Sequence, residues 1–222
     1  MTYFQEHYIQ FFQDLAKNNN ADWFKTNKGR YEVSVKQPFE KLVTDVMSQI
    51  QKLEPNFPTF KTSELIHRIN RDLRFSKDKS PYKTNMSAIF NKDGKKSETP
   101  GFYFHFSTTE AIVCGGCYTL SPNNLAKVRK KITDYPDALD AILNDTDFSK
   151  YFHQIEGEKL TKAPKGMQKA YEAQQLVANK QFYVVSNLPI NTILQTNLLD
   201  KLLAHYKALA PLHNFLESAL AG

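Results

Sequence analysis

A cluster of basic residues between Arg68 and Lys83 is the part of the sequence most suited to chemistry. Its sixteen residues hold six cations against two acids, Asp72 and Asp78, which gives the segment a net charge of +4 (six minus two) in a chain of net charge +6. Planar guanidinium groups match phosphate or carboxylate oxygens in bidentate pairs, and lysines add point charge. The pattern therefore predicts an anion site whose cations are Arg68, Arg71, Arg74, Lys77, Lys79 and Lys83.

Three residues in or near this segment have side chains suited to proton transfer. Tyr82 is a candidate proton donor, and Asp72 would orient an arginine. His105 alternates with Tyr103 along a predicted strand and could face a pocket as a general base. A histidine that only makes hydrogen bonds within the fold explains the same position. The sequence identifies no nucleophile. Binding of an anionic small molecule is therefore the leading hypothesis, and an enzyme acting on that molecule is a weaker one.

Two other interpretations of the same cations stay open. A nucleic-acid binding module would set them on backbone phosphates, with Phe75, Tyr82 or Phe102 stacking on bases. A structural or partner-binding domain without a ligand would pair them with Asp72, Asp78 and acids elsewhere in the chain. The first interpretation predicts an affinity that falls steeply with salt, and the second predicts that loss of Arg71 unfolds the protein.

The Cys114-Gly-Gly-Cys117 segment has the spacing of a metal or redox site, but its context favours neither. Zinc needs four ligands, and the sequence offers no second pair of cysteines. A redox dithiol normally begins a helix, where the thiol pKa is lowered, whereas this pair lies in a predicted strand. We expect no metal and no cofactor, and we assign the two glycines to a bulge or a close backbone contact.

Composition favours one folded domain over residues 1–222. The chain is 41% hydrophobic and 13% aromatic, which is ordinary for globular proteins. No apolar run approaches the roughly 18 residues of a membrane span, and the N-terminus lacks the pattern of a secretory signal. With two cysteines and no disulfide framework, the expected location is the cytoplasm. The oligomeric state stays open.

The elements that must position the site follow an α+β order. Apolar residues at helical spacing predict helices near the N-terminus, after Pro38, after Ser121-Pro122 and from about Asn197. Short runs rich in β-branched and aromatic residues predict about five mainly antiparallel strands, covered by the N-terminal and C-terminal helices. These runs are SELIHRI (63–69), MSAIF (86–90), GFYFHFS (101–107), EAIVCGGCYTL (110–120) and KQFYVVSNLP (180–189).

The run RINRDLRFSKDKSPYKTN (68–85) resembles the signature of a widespread family catalogued as domain of unknown function 2461. Further stretches resemble the same family: NNNADWFKTNKGRYE (18–32), GFYFHF (101–106), CGGCYTLSP (114–122) and KQFYVVSNLP (180–189). Nearly the whole chain is covered, which supports one domain. The resemblance implies little about activity. If the signature marks a site, it carries over to the six cations above and to Asp72, Asp78 and Tyr82. The cysteines at 114 and 117 depart from the family pattern.

Overall fold

Helices precede and follow a block of strands along the chain. The structure is a computed structural model and describes residues 1–74 and 77–221. The strands are β1 (Met86–Phe90), β2 (Gly101–Phe106), β3 (Ala111–Cys117) and β4 (Phe182–Leu188). The α-helices are α1 (Glu6–Lys17), α2 (Ala21–Thr26), α3 (Lys28–Tyr31), α4 (Gln37–Leu53), α5 (Thr62–Leu65), α6 (Pro122–Asp134), α7 (Pro136–Leu143), α8 (Thr146–Ser149), α9 (Gln168–Ala173) and α10 (Leu198–Ala221). A π-helical turn covers Glu32–Lys36, and 3₁₀ turns cover Gln175–Ala178 and Ile190–Leu194.

The strands form one antiparallel sheet in the order β1-β2-β3-β4, which confirms the α+β class. The loop between β1 and β2 turns at Gly94, whose φ of +86° suits a residue without a side chain. An Asp-Gly pair between two strand-like runs is a sequence signal for a hairpin turn, so the sequence predicts the turn found at Asp93-Gly94. Within the described residues the sheet has four strands, so the expectation of about five strands is slightly wrong.

The run SELIHRI is the predicted strand that does not form. Glu64 accepts a hydrogen bond from the Lys61 amide at 2.7 Å, and this contact supports the single helical turn of α5. Beyond that turn, Ile66 forms an isolated antiparallel bridge to Ala88. The two isoleucines of the run were insufficient to form a strand, because local capping of a turn competed with strand pairing.

Two compact units divide the chain. The first comprises Met1–Phe90, Tyr103–Val113 and Asn187–Leu203, and the second comprises Asn91–Phe102, Cys114–Ser186 and the described residues from Ala204 onward. Each unit has a core of its own, outlined below. The expectation of a single domain over residues 1–222 stays a prediction.

Aromatic side chains dominate the core of the first unit. Phe4 and Phe39 lie against Phe106, with ring centroids 5.8 and 6.1 Å from it. Tyr8 is fully buried and donates its hydroxyl hydrogen to Phe106 O at 2.8 Å, so its polar end is satisfied. Phe104 and Phe106 are buried, whereas Tyr103 and His105 between them are half-buried. The alternation of β2 thus places Tyr103 and His105 on the face away from this aromatic core.

In the second unit, α6 and α10 contribute buried side chains to the core. Val128 and Ile132 of α6 are fully buried. Phe102 and Tyr206 meet edge to face at 5.3 Å between ring centroids. α10 continues through Pro211 rather than ending there, since residues on both sides of the proline are buried, among them Leu209, Leu212, Phe215 and Leu216. In the described part of the chain, no helix is both long enough and apolar enough to cross a membrane.

Candidate anion-binding site

Backbone pairing fixes the two ends of the basic loop, the name used here for residues 68–83. Asn70 and Tyr82 form an isolated antiparallel bridge. Beside it, the amide of Lys83 donates to Ile69 O at 2.8 Å. The segment therefore leaves and returns through a short hairpin-like stem. Its interior contributes the charged side chains, and Phe75, proposed as a stacking residue, lies outside the described residues.

Asn19, in the connection between α1 and α2, holds the returning end of the basic loop. Its Nδ2 donates to Tyr82 O at 2.9 Å, and the Tyr82 amide donates to Asn19 Oδ1 at 3.1 Å. The Tyr82 ring also stacks on Phe24 of α2, with centroids 4.1 Å apart and planes at 18°. Sequence reasoning missed this contact. The run of asparagines before α2 was the available signal, because a side-chain amide both donates and accepts and so can pair with a backbone.

Arg71 is held from several sides and is half-buried. Its amide donates to Pro81 O at 2.8 Å, its Nη1 lies 2.9 Å from Asp78 Oδ2, and its Nη2 donates to Tyr82 O at 3.4 Å. Its Nε is buried and has no hydrogen-bond partner within the described residues. Hydrogen bonds from Ser80, with the charge of Arg71 adding to them, lower the pKa of Asp78. Arg71 thus braces the loop through an ionised carboxylate.

Arg74 and Asp72 form a bidentate pair on the exposed part of the basic loop. Arg74 Nε donates to Asp72 Oδ1 at 3.0 Å, and Arg74 Nη2 donates to Oδ2 at 2.7 Å. These hydrogen bonds hold the pKa of Asp72 well below its usual range, with the positive charge of Arg68 contributing. Asp72 is therefore an ionised carboxylate that orients Arg74, whose side chain is 76% exposed.

The remaining cations lie on the same loop with different surroundings. Arg68, Lys77 and Lys79 are exposed, whereas Lys83 is half-buried. Lys79 Nζ donates to Leu73 O at 3.0 Å, which ties its side chain across the loop. Both acids of the loop contact arginines, and four positive charges remain after the two acids are subtracted from the six cations.

His105 lies on β2 and contacts two other polar side chains. Its Nδ1 is 3.2 Å from the Tyr103 hydroxyl, and its Nε2 is 3.5 Å from Glu110 Oε2. Burial lowers the pKa of His105, and the carboxylate of Glu110 opposes that shift. Tyr103 also meets the ring of His67, with centroids 6.1 Å apart. Sequence reasoning placed His105 beside Tyr103 but missed Glu110, which comes from the turn before β3.

The two cysteines lie in β3, and burial raises the pKa of each thiol to about 12. Neither thiol is ionised at neutral pH, which disfavours redox or metal chemistry. A Cβ at Gly115 would meet Leu209, and one at Gly116 would meet the backbone of Phe182. These contacts confirm the close backbone approach at Gly116, whereas the close neighbour of Gly115 is a side chain. The described residues contain no cluster of three or more potential metal ligands among His, Cys, Asp and Glu.

Comparison with known proteins extends the resemblance seen in the motifs. No curated protein matched the chain. A family model described as "Conserved hypothetical protein (DUF2461)" matches residues 7–215. The match spans the basic loop, Asn19, and the row of Tyr103, His105 and Glu110, so these features lie inside the part shared with the family. The chain therefore belongs to this family of conserved hypothetical proteins, the domain of unknown function 2461.

Proposed function

We propose that the basic loop binds the phosphate group of an anionic ligand, with a phosphate-bearing small molecule as the leading candidate. The observation that carries the proposal is a net charge of +4 on a loop whose returning end is fixed by the Asn19–Tyr82 contact. A fixed backbone reduces the conformational entropy that is lost when a ligand binds.

The arginines supply the geometry of the proposed site. Asp72 and Asp78 each hold one guanidinium group, so Arg74 and Arg71 are oriented before any ligand arrives. A guanidinium group has five N–H donors, so an arginine that contacts a carboxylate can also contact a phosphate oxygen. Arg68, Lys77, Lys79 and Lys83 raise the local positive potential and favour a doubly charged anion.

The proposed roles in proton transfer differ among the three candidates. Because its pKa is held low by Arg74, Asp72 suits a positioning role better than proton donation. The Tyr82 ring is stacked on Phe24, which fixes it beside the stem of the loop. His105 has the surroundings of a base, with a hydroxyl on one ring nitrogen and a carboxylate on the other.

Nucleic acid is the second candidate ligand, and the exposure of the loop favours it. Arg74 is 76% exposed, and Arg68, Lys77 and Lys79 are also exposed. A phosphodiester backbone can contact such cations one after another along a surface, without a pocket. A small molecule instead requires that several cations converge on one phosphate group.

Thermal-shift and titration experiments test the proposal with inorganic phosphate, adenosine monophosphate and a short single-stranded oligonucleotide as probes. The variant is Arg68→Ala, Arg74→Ala, and its matched control is Lys130→Ala, Lys180→Ala. Each double substitution lowers the net charge from +6 by two. The variant breaks the exposed Arg74–Asp72 pair, and the control breaks the exposed Lys130–Asp134 and Lys180–Glu158 pairs but lies in the second unit. A ligand at ~100 times its Kd stabilises a protein by about 2.7 kcal/mol.

We expect a probe to stabilise the wild type and the control, but not the folded Arg68→Ala, Arg74→Ala variant. Affinity for nucleic acid should fall by about 0.7–0.9 log units per phosphate contacted for each log unit of salt, whereas a small phosphate ligand should show a shallower slope. Equal responses of variant and control, or no response to any probe at high concentration, would leave the cations with a structural role and overturn the proposal.

A further inference from the structure

Tyr103, His105 and Glu110 form a connected row of polar groups on the face of β2 away from the aromatic core of the first unit. The Tyr103 hydroxyl lies 3.2 Å from His105 Nδ1, and His105 Nε2 lies 3.5 Å from Glu110 Oε2. A hydroxyl, an imidazole and a carboxylate in this order have the arrangement of an activated nucleophile or acid with its base and orienting group.

The carboxylate selects the tautomer of the imidazole. Glu110 only accepts hydrogen bonds when ionised, so it favours a proton on His105 Nε2. Nδ1 then has a lone pair, which accepts from the Tyr103 hydroxyl. This tautomer is the one that a general base needs, because the nitrogen facing the hydroxyl can take its proton.

The reacting end of the row, at Tyr103, is partly accessible to a ligand, and the carboxylate end, at Glu110, lies in solvent. The His105 side chain is 18% exposed, Tyr103 is half-buried and Glu110 is exposed. Because burial lowers the pKa of His105, the imidazole is neutral at neutral pH and ready to accept a proton. The titratable neighbours are Glu110 on one side and, beyond Tyr103, the ring of His67, whose centroid is 6.1 Å from that of Tyr103.

We propose that Tyr103, His105 and Glu110 form an acid–base site whose reacting group is the Tyr103 hydroxyl. In the forward step a proton passes from a hydroxyl or an acidic C–H of the substrate to Tyr103 Oη. The phenolic proton passes at the same time to His105 Nδ1, and Glu110 stabilises the imidazolium that forms. The reverse transfers return both protons, so the site needs no other reactant. Tyr103 is the catalytic residue, His105 the base and Glu110 a positioning residue.

The substrate class rests on the phosphate binding proposed above. His67, which contacts Tyr103, directly precedes Arg68, the first residue of the basic loop. A phosphate group held by that loop would keep a small molecule near the Tyr103 hydroxyl. The structure thus points to a small phosphate ester with an exchangeable proton close to its phosphate group.

Acetylation by N-acetylimidazole, followed by mass spectrometry, tests the reactivity of Tyr103 without knowledge of the substrate. The acetyl carbon bonds to the phenolic oxygen as its bond to the imidazole nitrogen breaks. The proton of Tyr103 passes to His105, and the departing imidazole takes up a proton from solvent. Tyr118 and Tyr135 are internal controls, because they are 67% and 54% exposed and lie outside the row of Tyr103, His105 and Glu110. We expect Tyr103 to react faster than both, although it is less exposed, with a rate that falls as pH drops through the pKa of His105.

Two variants separate the base from the positioning residue. His105→Asn should slow acetylation of Tyr103 at least ~10-fold, which is less than the usual rate effect of a general base but is measurable. The control His7→Asn should leave the rate unchanged. Glu110→Gln should move the NMR titration midpoint of His105 to lower pH, since Glu110 raises its pKa, and should decrease the population of the Nε2–H tautomer. An unchanged midpoint and unchanged tautomer populations in Glu110→Gln would show that Glu110 does not position His105 and would overturn its assigned role.

Acetylation in the presence of inorganic phosphate tests phosphate binding separately from the acid–base site. Protection of Tyr103 by phosphate in the wild type, lost in Arg68→Ala, Arg74→Ala, supports both the site and its substrate class. Fast acetylation that phosphate does not affect supports the acid–base site and overturns the phosphate-bearing substrate. Acetylation of Tyr103 no faster than that of Tyr118 and Tyr135, or unchanged in folded His105→Asn, overturns the acid–base site.

Discussion

At Gly116 the backbone has a φ of +120°, and a Cβ there would meet the carbonyl oxygen and the main chain of Phe182. The position therefore excludes a side chain for two separate reasons, conformation and space. The neighbouring thiols are un-ionised at neutral pH, so the Cys-Gly-Gly-Cys spacing reflects packing of β3 against its surroundings. In this segment the glycines therefore matter more for the packing of β3 than the cysteines do.

Gly116→Ala should destabilise the protein by roughly 1–3 kcal/mol from the unfavourable φ alone, with further loss from the clash at Phe182. Urea denaturation measures the change. Gly29→Ala is the matched control, because a Cβ at Gly29 meets nothing within 4 Å and the residue lies in α3, where alanine is favoured by up to ~1 kcal/mol. Equal midpoints for the two variants would contradict the close contact.

Glu98 carries a pH-dependent contribution to stability. It accepts hydrogen bonds from Ser121 N and Oγ, both at 2.8 Å, and from Asn124 Nδ2 at 2.7 Å. The hydrogen bonds from Ser121 lower the pKa of Glu98 from the ordinary value of 4.5. A depressed pKa in the folded state means that the stabilisation is complete above pH 4.5 and is lost as pH falls through the folded-state value.

We therefore expect Glu98→Gln to lower the Tm at pH 7 and to match the wild type more closely below about pH 4. Differential scanning calorimetry across this range provides the measurement. Glu172→Gln is a control at an exposed carboxylate that accepts a hydrogen bond from Gln168 of the same helix. A Tm difference for Glu98→Gln that does not depend on pH would show that the shape of the side chain, not its charge, holds the loop.

The position of the basic loop depends on the connection between α1 and α2, which is far from the loop in the sequence. Asn19 meets Tyr82 across 63 positions of the chain and forms two hydrogen bonds with its backbone. The loop's own ion pairs are short in range, since Arg74 pairs with Asp72 and Arg71 with Asp78. The α1–α2 connection therefore fixes where the loop returns, and the local pairs shape its interior.

Asn19→Ala should loosen the loop more than the core. Two hydrogen bonds of ~1 kcal/mol each are lost, so exchange of the Tyr82 and Lys83 amides should accelerate about tenfold or more. Hydrogen exchange followed by NMR resolves these amides. Asn18→Ala is the matched control, because the side chain of Asn18 donates to Asp14 O of the preceding helix α1. Unchanged exchange at Tyr82 would mean that the stacking on Phe24 suffices to hold the loop.

For the whole molecule, the open question is whether the two compact units unfold together, as one domain would. Trp23 is the single tryptophan of the chain and belongs to the first unit, so its fluorescence reports on that unit. Far-UV circular dichroism reports on the helices of both units. A cooperative domain requires that the two signals share one transition.

Phe148→Ala should lower the urea midpoint of Trp23 fluorescence as much as that of circular dichroism. Phe148 is fully buried in the second unit, and its loss should cost about 3–5 kcal/mol. Phe39→Ala is the matched substitution in the first unit, and exposed Val33→Ala should be nearly neutral. A Trp23 transition that stays in place in Phe148→Ala would show independent unfolding and contradict the single-domain prediction.

Much of the fold followed from local sequence. Helical stripes predicted α1 and α4, Ser121-Pro122 predicted the start of α6, and Asp93-Gly94 predicted the β1–β2 turn. The long motif around Arg71 predicted the family. The strand over 63–69 was wrong, because capping at Glu64 outweighed the tendency of this run to pair as a strand.

The sequence by itself determined the fold class, the family and the concentration of positive charge between Arg68 and Lys83, since each depends on residue types and on spacings within one element. Only the tertiary structure decided that Asn19 holds Tyr82 and that Glu110 completes the row with His105. Such contacts depend on which elements pack side by side. No local periodicity encodes which amide or carboxylate will meet a group on a separate element.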